Sequence, residues 1–147
     1  MAADLLLDTS ALVSLLDRTQ RRHADCVAVL EAWAGRLVTT EAVLTEATHL
    51  LGRTPGGPAA CLDFVIAGGA VLVPLSRTAL RRCRALIERY ADVPMDFADA
   101  ALVVLAEDLD TPDVFTLDRR GFETYRFHGR RPFTLHPQQD TPSAGRN

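Results

Sequence analysis

Apolar and polar positions along the 147-residue chain fall into short alternating blocks. Apolar runs at Leu5 to Asp8, Leu37 to Thr39, Ala70 to Leu75, Val114 to Asp118 and Pro132 to Leu135 predict strands. Between them, apolar residues spaced three and four apart predict helices over Ala11 to Asp17, Arg22 to Ala34, Glu41 to Leu51, Pro58 to Ala67, Thr78 to Ala91 and Phe97 to Leu109. Short strands separated by helices call for crossover connections, and so for an α/β fold with a mostly parallel sheet covered on both faces. The stretch "GRTPGGP" at Gly52 to Pro58 breaks two helices apart, and it lacks the G-K-[ST] ending of a phosphate loop. No internal repeat is present. The Pro, Ser, Gly and polar residues from Gln138 to Asn147 predict a disordered tail behind one domain spanning residues 1–137.

Against this pattern several carboxylates stand out. Asp8 ends the apolar run "LLLD" immediately before a helical stretch, at the kind of strand end where open α/β sheets gather ligands. Helix capping is the competing reading, since Asp is a favoured N-cap, although Ser10 caps well too and sits closer to Ala11. In "TEAVLTEATHLLG", a rotation of 100° per residue puts Val43, Ala47, Leu50 and Leu51 on one face, with Glu46 at its edge. In "VPMDFADAALVVLAEDL", Asp96 suits an N-cap before Phe97. Asp99 projects among Leu102, Val103 and Ala106, where an ionised group is costly unless paired or bound to a cation. Asp118 ends the run "VFTLD" much as Asp8 ends its own, so adjacent parallel strands would bring these two acids to one sheet edge.

Composition narrows the chemistry. All sixteen basic residues are Arg, and the formal charge is −3. The absence of Lys disfavours P-loop nucleotidases, receiver domains and dehalogenase-type phosphatases, each of which places a lysine near phosphate. The last of these also wants an acid two residues after the first, where this chain has Ser10. Arginines bunch at Arg21 and Arg22, from Arg77 to Arg89, and from Arg119 to Arg131, and Arg suits phosphate contact. No basic residue adjoins Asp8, Glu46 or Asp99 in sequence, and an all-oxygen set of this kind suits Mg²⁺ or Mn²⁺ rather than zinc. His23, His49, His128 and His136 show no ligand spacing. Cys26, Cys61 and Cys83 form no C-x-x-C pair and are expected as buried free thiols. Neither a membrane span nor a leader is recognisable, so a cytoplasmic location is expected.

The ordered set "LLLDTSAL", "TEATHLL", "DFADAALVVLAE" and "FTLDRRGF" resembles the PIN domain, and specifically the VapC-type toxins of bacterial toxin–antitoxin pairs. The resemblance runs from Asp4 to about His136. It implies a five-stranded parallel sheet between helices, a homodimer, and a cognate antitoxin whose peptide occupies the active-site groove. It further implies that Asp8, Glu46, Asp99 and Asp118 hold one or two Mg²⁺ or Mn²⁺ ions for RNA hydrolysis, with Asp8 and Asp99 the first choices as direct ligands. Ser10 is then the residue that orders Asp8, and Arg119, Arg120, Arg130 and Arg131 are candidates for holding the RNA backbone. Gly121 departs from the pattern, since many relatives carry a further acid there. The alternative of another class is a non-catalytic RNA-binding or partner-binding module on the same fold.

Overall fold

In the computed structural model, which describes residues 2–139, strands β1 (Leu5–Leu7), β2 (Leu37–Thr39), β3 (Val71–Leu72), β4 (Asp113–Phe115) and β7 (Thr134–His136) form one sheet in the order β3-β2-β1-β4-β7. Every neighbouring pair in it is parallel. Leu5, Leu6 and Leu7 are fully buried, as a central parallel strand covered on both faces requires. Helices α1 (Thr9–Leu16), α2 (His23–Ala32), α3 (Glu41–Leu50), α4 (Gly57–Ile66), α5 (Arg77–Arg89) and α6 (Phe97–Leu109) connect the strands. A short helix α7 (Arg119–Thr124) follows β4, and an antiparallel pair, β5 (Arg126–Phe127) with β6 (Arg131–Pro132), stands outside the main sheet. From β1 the chain builds toward β2 and β3 on one side, while β4 and β7 lie on the other. The crevice between the carboxyl ends of β1 and β4 is therefore the place where such folds bind ligands.

Helix α6 is the central packing element. Every residue from Ala98 to Ala106 is buried, because the helix lies against β1, α3 and α5. Beside it, Phe122, Tyr125, Phe127 and Phe133 form a chain of edge-to-face aromatic contacts with centroid separations of 5.3 to 5.9 Å. Such geometry adds specificity to burial.

The structure departs from the sequence pattern at several points. The expected strand at residues 70–75 pairs only over Val71 and Leu72. The strand expected at 114–118 spans Asp113–Phe115, so Asp118 is not a strand-end residue but the N-cap of α7. Helix α1 begins at Thr9, with Asp8 as its N-cap, which places Ser10 inside the helix rather than at its cap. Leu50 is 56% exposed, unlike Val43, Ala47 and Leu51 at 0%. The core-facing stripe of α3 thus follows i, i+4, i+8 and leaves the i+7 position outside. Helix α7 and strand β5 lie in a stretch where no strand or helix was expected, and the strand expected at 132–135 divides between β6 (Arg131–Pro132) and β7 (Thr134–His136). Cys26, Cys61 and Cys83 are buried and free. The tail expected from 138 onward falls, from residue 140, outside the described residues.

Candidate active site

Register builds the site. Leu7 pairs with Phe115, so the residue after each faces its counterpart across the carboxyl edge: Asp8 from β1 and Thr116 from β4. The Thr116 hydroxyl donates to Asp8 Oδ2 at 2.6 Å, and the Thr9 backbone N–H donates to Asp8 Oδ1 at 2.8 Å. The position that the sequence suggested for Asp118 is thus filled by Thr116. Asp118 lies two residues on, and its own N–H donates to Thr116 Oγ1 at 2.9 Å. One hydroxyl therefore ties both acids to the sheet edge. Ser10 Oγ stands 3.5 Å from Asp8 Oδ2 and accepts from the Leu117 N–H at 2.9 Å, so its closer bond fixes the loop that carries Asp118. Thr116 escaped sequence reading, although a polar residue within "VFTLD" marks the place.

Asp99 enters from the first turn of α6. Asp96 is the N-cap, as expected, and its carboxylate accepts from the Asp99 N–H at 2.8 Å. Asp99 Oδ2 in return accepts the Asp96 N–H at 3.4 Å, completing a reciprocal cap, and a hydrogen bond from the Tyr125 hydroxyl at 3.2 Å. Asp99 is therefore both a capping acid and a member of the acid cluster. Asp96, read from sequence as a cap alone, also stands close enough to Glu46 and Asp99 to raise both. Glu46 reaches in from α3 and is half-buried.

The electrostatics follow from this crowding. Burial, with smaller contributions from the charges of Asp118 and Glu46, pushes the Asp8 carboxyl up to about 6 against the bonds from Thr116 and Thr9. Burial and then the charges of Asp96 and Asp8 push Asp99 up to about 7. Glu46 is raised by burial and by Asp96 and Asp118. None of these five acids has an ion-pair partner among the described residues. Two buried hydroxyls, Thr9 Oγ1 and Thr40 Oγ1, make no hydrogen bond of good geometry there, although Thr9 eases Glu46 slightly. Thr40 directly follows β2, and Thr9 opens α1 two residues past the end of β1. An edge crowded with carboxylates that have no ion-pair partner among the described residues, flanked by two unbonded hydroxyls, has the donor chemistry of a hard divalent cation. As the side chains stand, no three acids among the described residues close around a common point.

The candidate RNA-binding arginines separate into two groups. Arg119 and Arg120 open α7 directly after Asp118, with Arg119 bonded to Glu123 at 3.1 Å. Arg130 and Arg131 lie at the tip of the β5–β6 hairpin, where His128 bonds Asp110 at the carboxyl end of α6. Asp99 sits at the opposite end of that helix, eleven residues or about 16 Å away at 1.5 Å per residue. The sequence put all four together because they are close in the chain, but the hairpin carries the second pair along α6 away from the acids.

A parallel sheet with carboxylates gathered at its topological switch point defines the class: the PIN domain profile matches residues 5–127, and the chain belongs to that family. Among individual relatives, it is 31% identical over 135 residues to Ribonuclease VapC26 of Mycobacterium tuberculosis, covering 90% of this chain and 100% of that protein. Of solved structures, Mycobacterium tuberculosis VapC20, a Sarcin-Ricin loop cleaving toxin, matches with a TM-score of 0.73 at 16% identity, over 78% of this chain and 90% of its own. A toxin-antitoxin complex from Klebsiella pneumoniae matches with a TM-score of 0.63 at 18% identity, over 82% and 91%. At those identities the structural likeness is one of fold. No helix among the described residues is long and apolar enough to cross a membrane.

Proposed function

We propose that this protein is a Mg²⁺- or Mn²⁺-dependent endoribonuclease and the toxin of a toxin–antitoxin pair. The observation that carries the reading is the set of unpaired, upward-shifted carboxylates at the β1/β4 edge, in a chain of the PIN family whose curated relative is a ribonuclease. Asp8 and Asp99 would hold the ion, and Glu46 and Asp118 would complete the set. When bound there, a divalent ion would supply Lewis acidity, lowering the pKa of water and offsetting charge on the phosphodiester. The protein's own part is positional. Thr116 and the Thr9 N–H keep Asp8 turned to the edge, Asp96 and Tyr125 do the same for Asp99, and Arg119 and Arg120 steady the RNA backbone beside Asp118. No Ser, Cys or His nucleophile is required. A cognate antitoxin, homodimerisation and a cytoplasmic location belong to the same proposal.

Incubating the purified protein with RNA in Mg²⁺, then with chelator, tests it. Cleavage that needs Mg²⁺ and disappears in Asp8→Asn is the expected result. RNA binding without cleavage under any divalent ion would favour the non-catalytic module instead.

A further inference from the structure

Asp99 has two carboxylate oxygens, and the protein treats them differently. Oδ2 accepts from the Tyr125 hydroxyl at 3.2 Å and from the Asp96 N–H at 3.4 Å, whereas Oδ1 accepts from no donor among the described residues. The amide contact is long, and rotation of a carboxylate about Cβ–Cγ is soft and roughly two-fold. The phenol is therefore the stronger constraint on which oxygen faces Asp8 and the acid edge. Its own position is tightly held. Tyr125 is 0% exposed, and its ring meets Phe122 and Tyr90 edge-on at 5.3 and 5.2 Å. Its single hydroxyl hydrogen has two acceptors in reach, the Pro94 carbonyl at 3.1 Å and Asp99 Oδ2 at 3.2 Å, of which an ionised carboxylate is the stronger.

Space at one backbone position makes this arrangement possible. A Cβ at Gly121 would stand 3.2 Å from the Tyr125 hydroxyl oxygen, 3.2 Å from its Cε2 and 3.1 Å from Asp118 Oδ2. Gly121 does not have a left-handed φ, so what its lack of a side chain provides is room rather than conformational freedom. A side chain there would press on both the phenol and the Asp118 carboxylate, which would have to give by a few tenths of an ångström.

We infer that Tyr125, given room by Gly121, is a positioning residue of the ion site, presenting one oxygen of Asp99 to the cation by occupying the other. This rests on the metal-ion reading above and adds to it a residue that touches neither ion nor RNA. Removing a partner that orients a ligand typically weakens metal affinity about 10- to 100-fold.

The test is Mn²⁺ binding measured directly by titration calorimetry on the full chain, with no RNA present. Tyr125→Phe keeps the ring in its aromatic cluster and deletes the hydroxyl, and Mn²⁺ is expected to bind it about tenfold more weakly than wild type. Tyr90→Phe deletes a neighbouring hydroxyl whose one hydrogen bond among the described residues is accepted from the Arg126 N–H, and is expected to bind Mn²⁺ like wild type. Gly121→Ala retains the hydroxyl but crowds it, and is expected to weaken Mn²⁺ binding as well. Cooperative thermal unfolding of each variant in chelator shows that it is folded. The inference is overturned if Tyr125→Phe or Gly121→Ala binds Mn²⁺ as tightly as wild type, or if Tyr90→Phe loses as much as Tyr125→Phe. Wild-type protein that binds no Mn²⁺ would instead overturn the metal reading itself, so the two failures are distinct.

Discussion

Replacing Asp8 with Asn should stabilise the protein at alkaline pH in chelator while abolishing its activity. In the folded protein burial lifts this carboxyl from 3.8 to about 6, a difference worth about 3 kcal/mol against the ionised native state at 1.4 kcal/mol per tenfold. The sign follows from proton counting. Between the unfolded and folded pKa values the native state binds more protons than the unfolded chain, so stability falls as pH rises from about 4, and the loss is complete above the folded value near 6. Asn carries no charge and escapes this loss. It gives up part of the 2.6 Å bond from Thr116, because that hydroxyl must accept from an amide in place of donating to a carboxylate, which costs about 1 kcal/mol. The net gain is about 2 kcal/mol at pH 8, or about 6 °C in melting temperature for a chain of this size, and it fades toward pH 4. Thermal unfolding in chelator at pH 8 and pH 4 measures it. Mg²⁺ at a hundredfold above its Kd should then raise wild type by about 3 kcal/mol and leave the variant nearly unmoved. A variant destabilised equally at both pH values, beside a wild type indifferent to Mg²⁺, would mean that Asp8 is a structural cap and that the charge argument fails.

Further outcomes follow from the same geometry. Asp99→Asn should stay folded and lose RNA cleavage, because the amide can still accept from Tyr125 but no longer adds charge to the edge. Asp96→Asn, with a side-chain oxygen still able to accept the Asp99 N–H, should retain cleavage, since Asn caps nearly as well as Asp; equal inactivation of the two would reverse their assignment. Thr116→Val strips a partner from Asp8 and from the Asp118 N–H together. It should cost about 2 kcal/mol of stability, and raise the apparent pKa of the acidic limb of the pH–rate profile, because the bond from Thr116 is what most lowers Asp8. Neutralising Arg119 and Arg120 should weaken RNA binding and flatten its log–log salt slope by about 0.7 for each phosphate that is no longer neutralised, whereas the same change at Arg130 and Arg131 should alter the slope little for RNAs only a few nucleotides long.

Local periodicity and composition were enough to set the framework of this protein. The five sheet strands, six of the helices and the parallel architecture follow from the alternation of apolar runs with helical spacing, because burial on both faces leaves continuous runs such as Leu5 to Leu7. The acids Asp8, Glu46, Asp99 and Asp118 could be picked out because carboxylates beside apolar stretches break the pattern, the first three without a basic neighbour in sequence. Short elements were not legible: α7 and the β5–β6 hairpin pack through an aromatic cluster that runs from Phe122 to Phe133 and meets Tyr90, at the end of α5, only in the folded chain. The roles around the acids came from the folded chain alone. The pairing of Leu7 with Phe115 makes Thr116 the neighbour of Asp8, a fact of register between strands more than a hundred residues apart. The course of the hairpin along α6 separates Arg130 and Arg131 from Arg119 and Arg120. The meeting of Tyr125 with Asp99 across 26 positions has no sequence signature, since a phenol's hydrogen bond depends on where two packed elements stop against each other, and packing is a property of the folded whole.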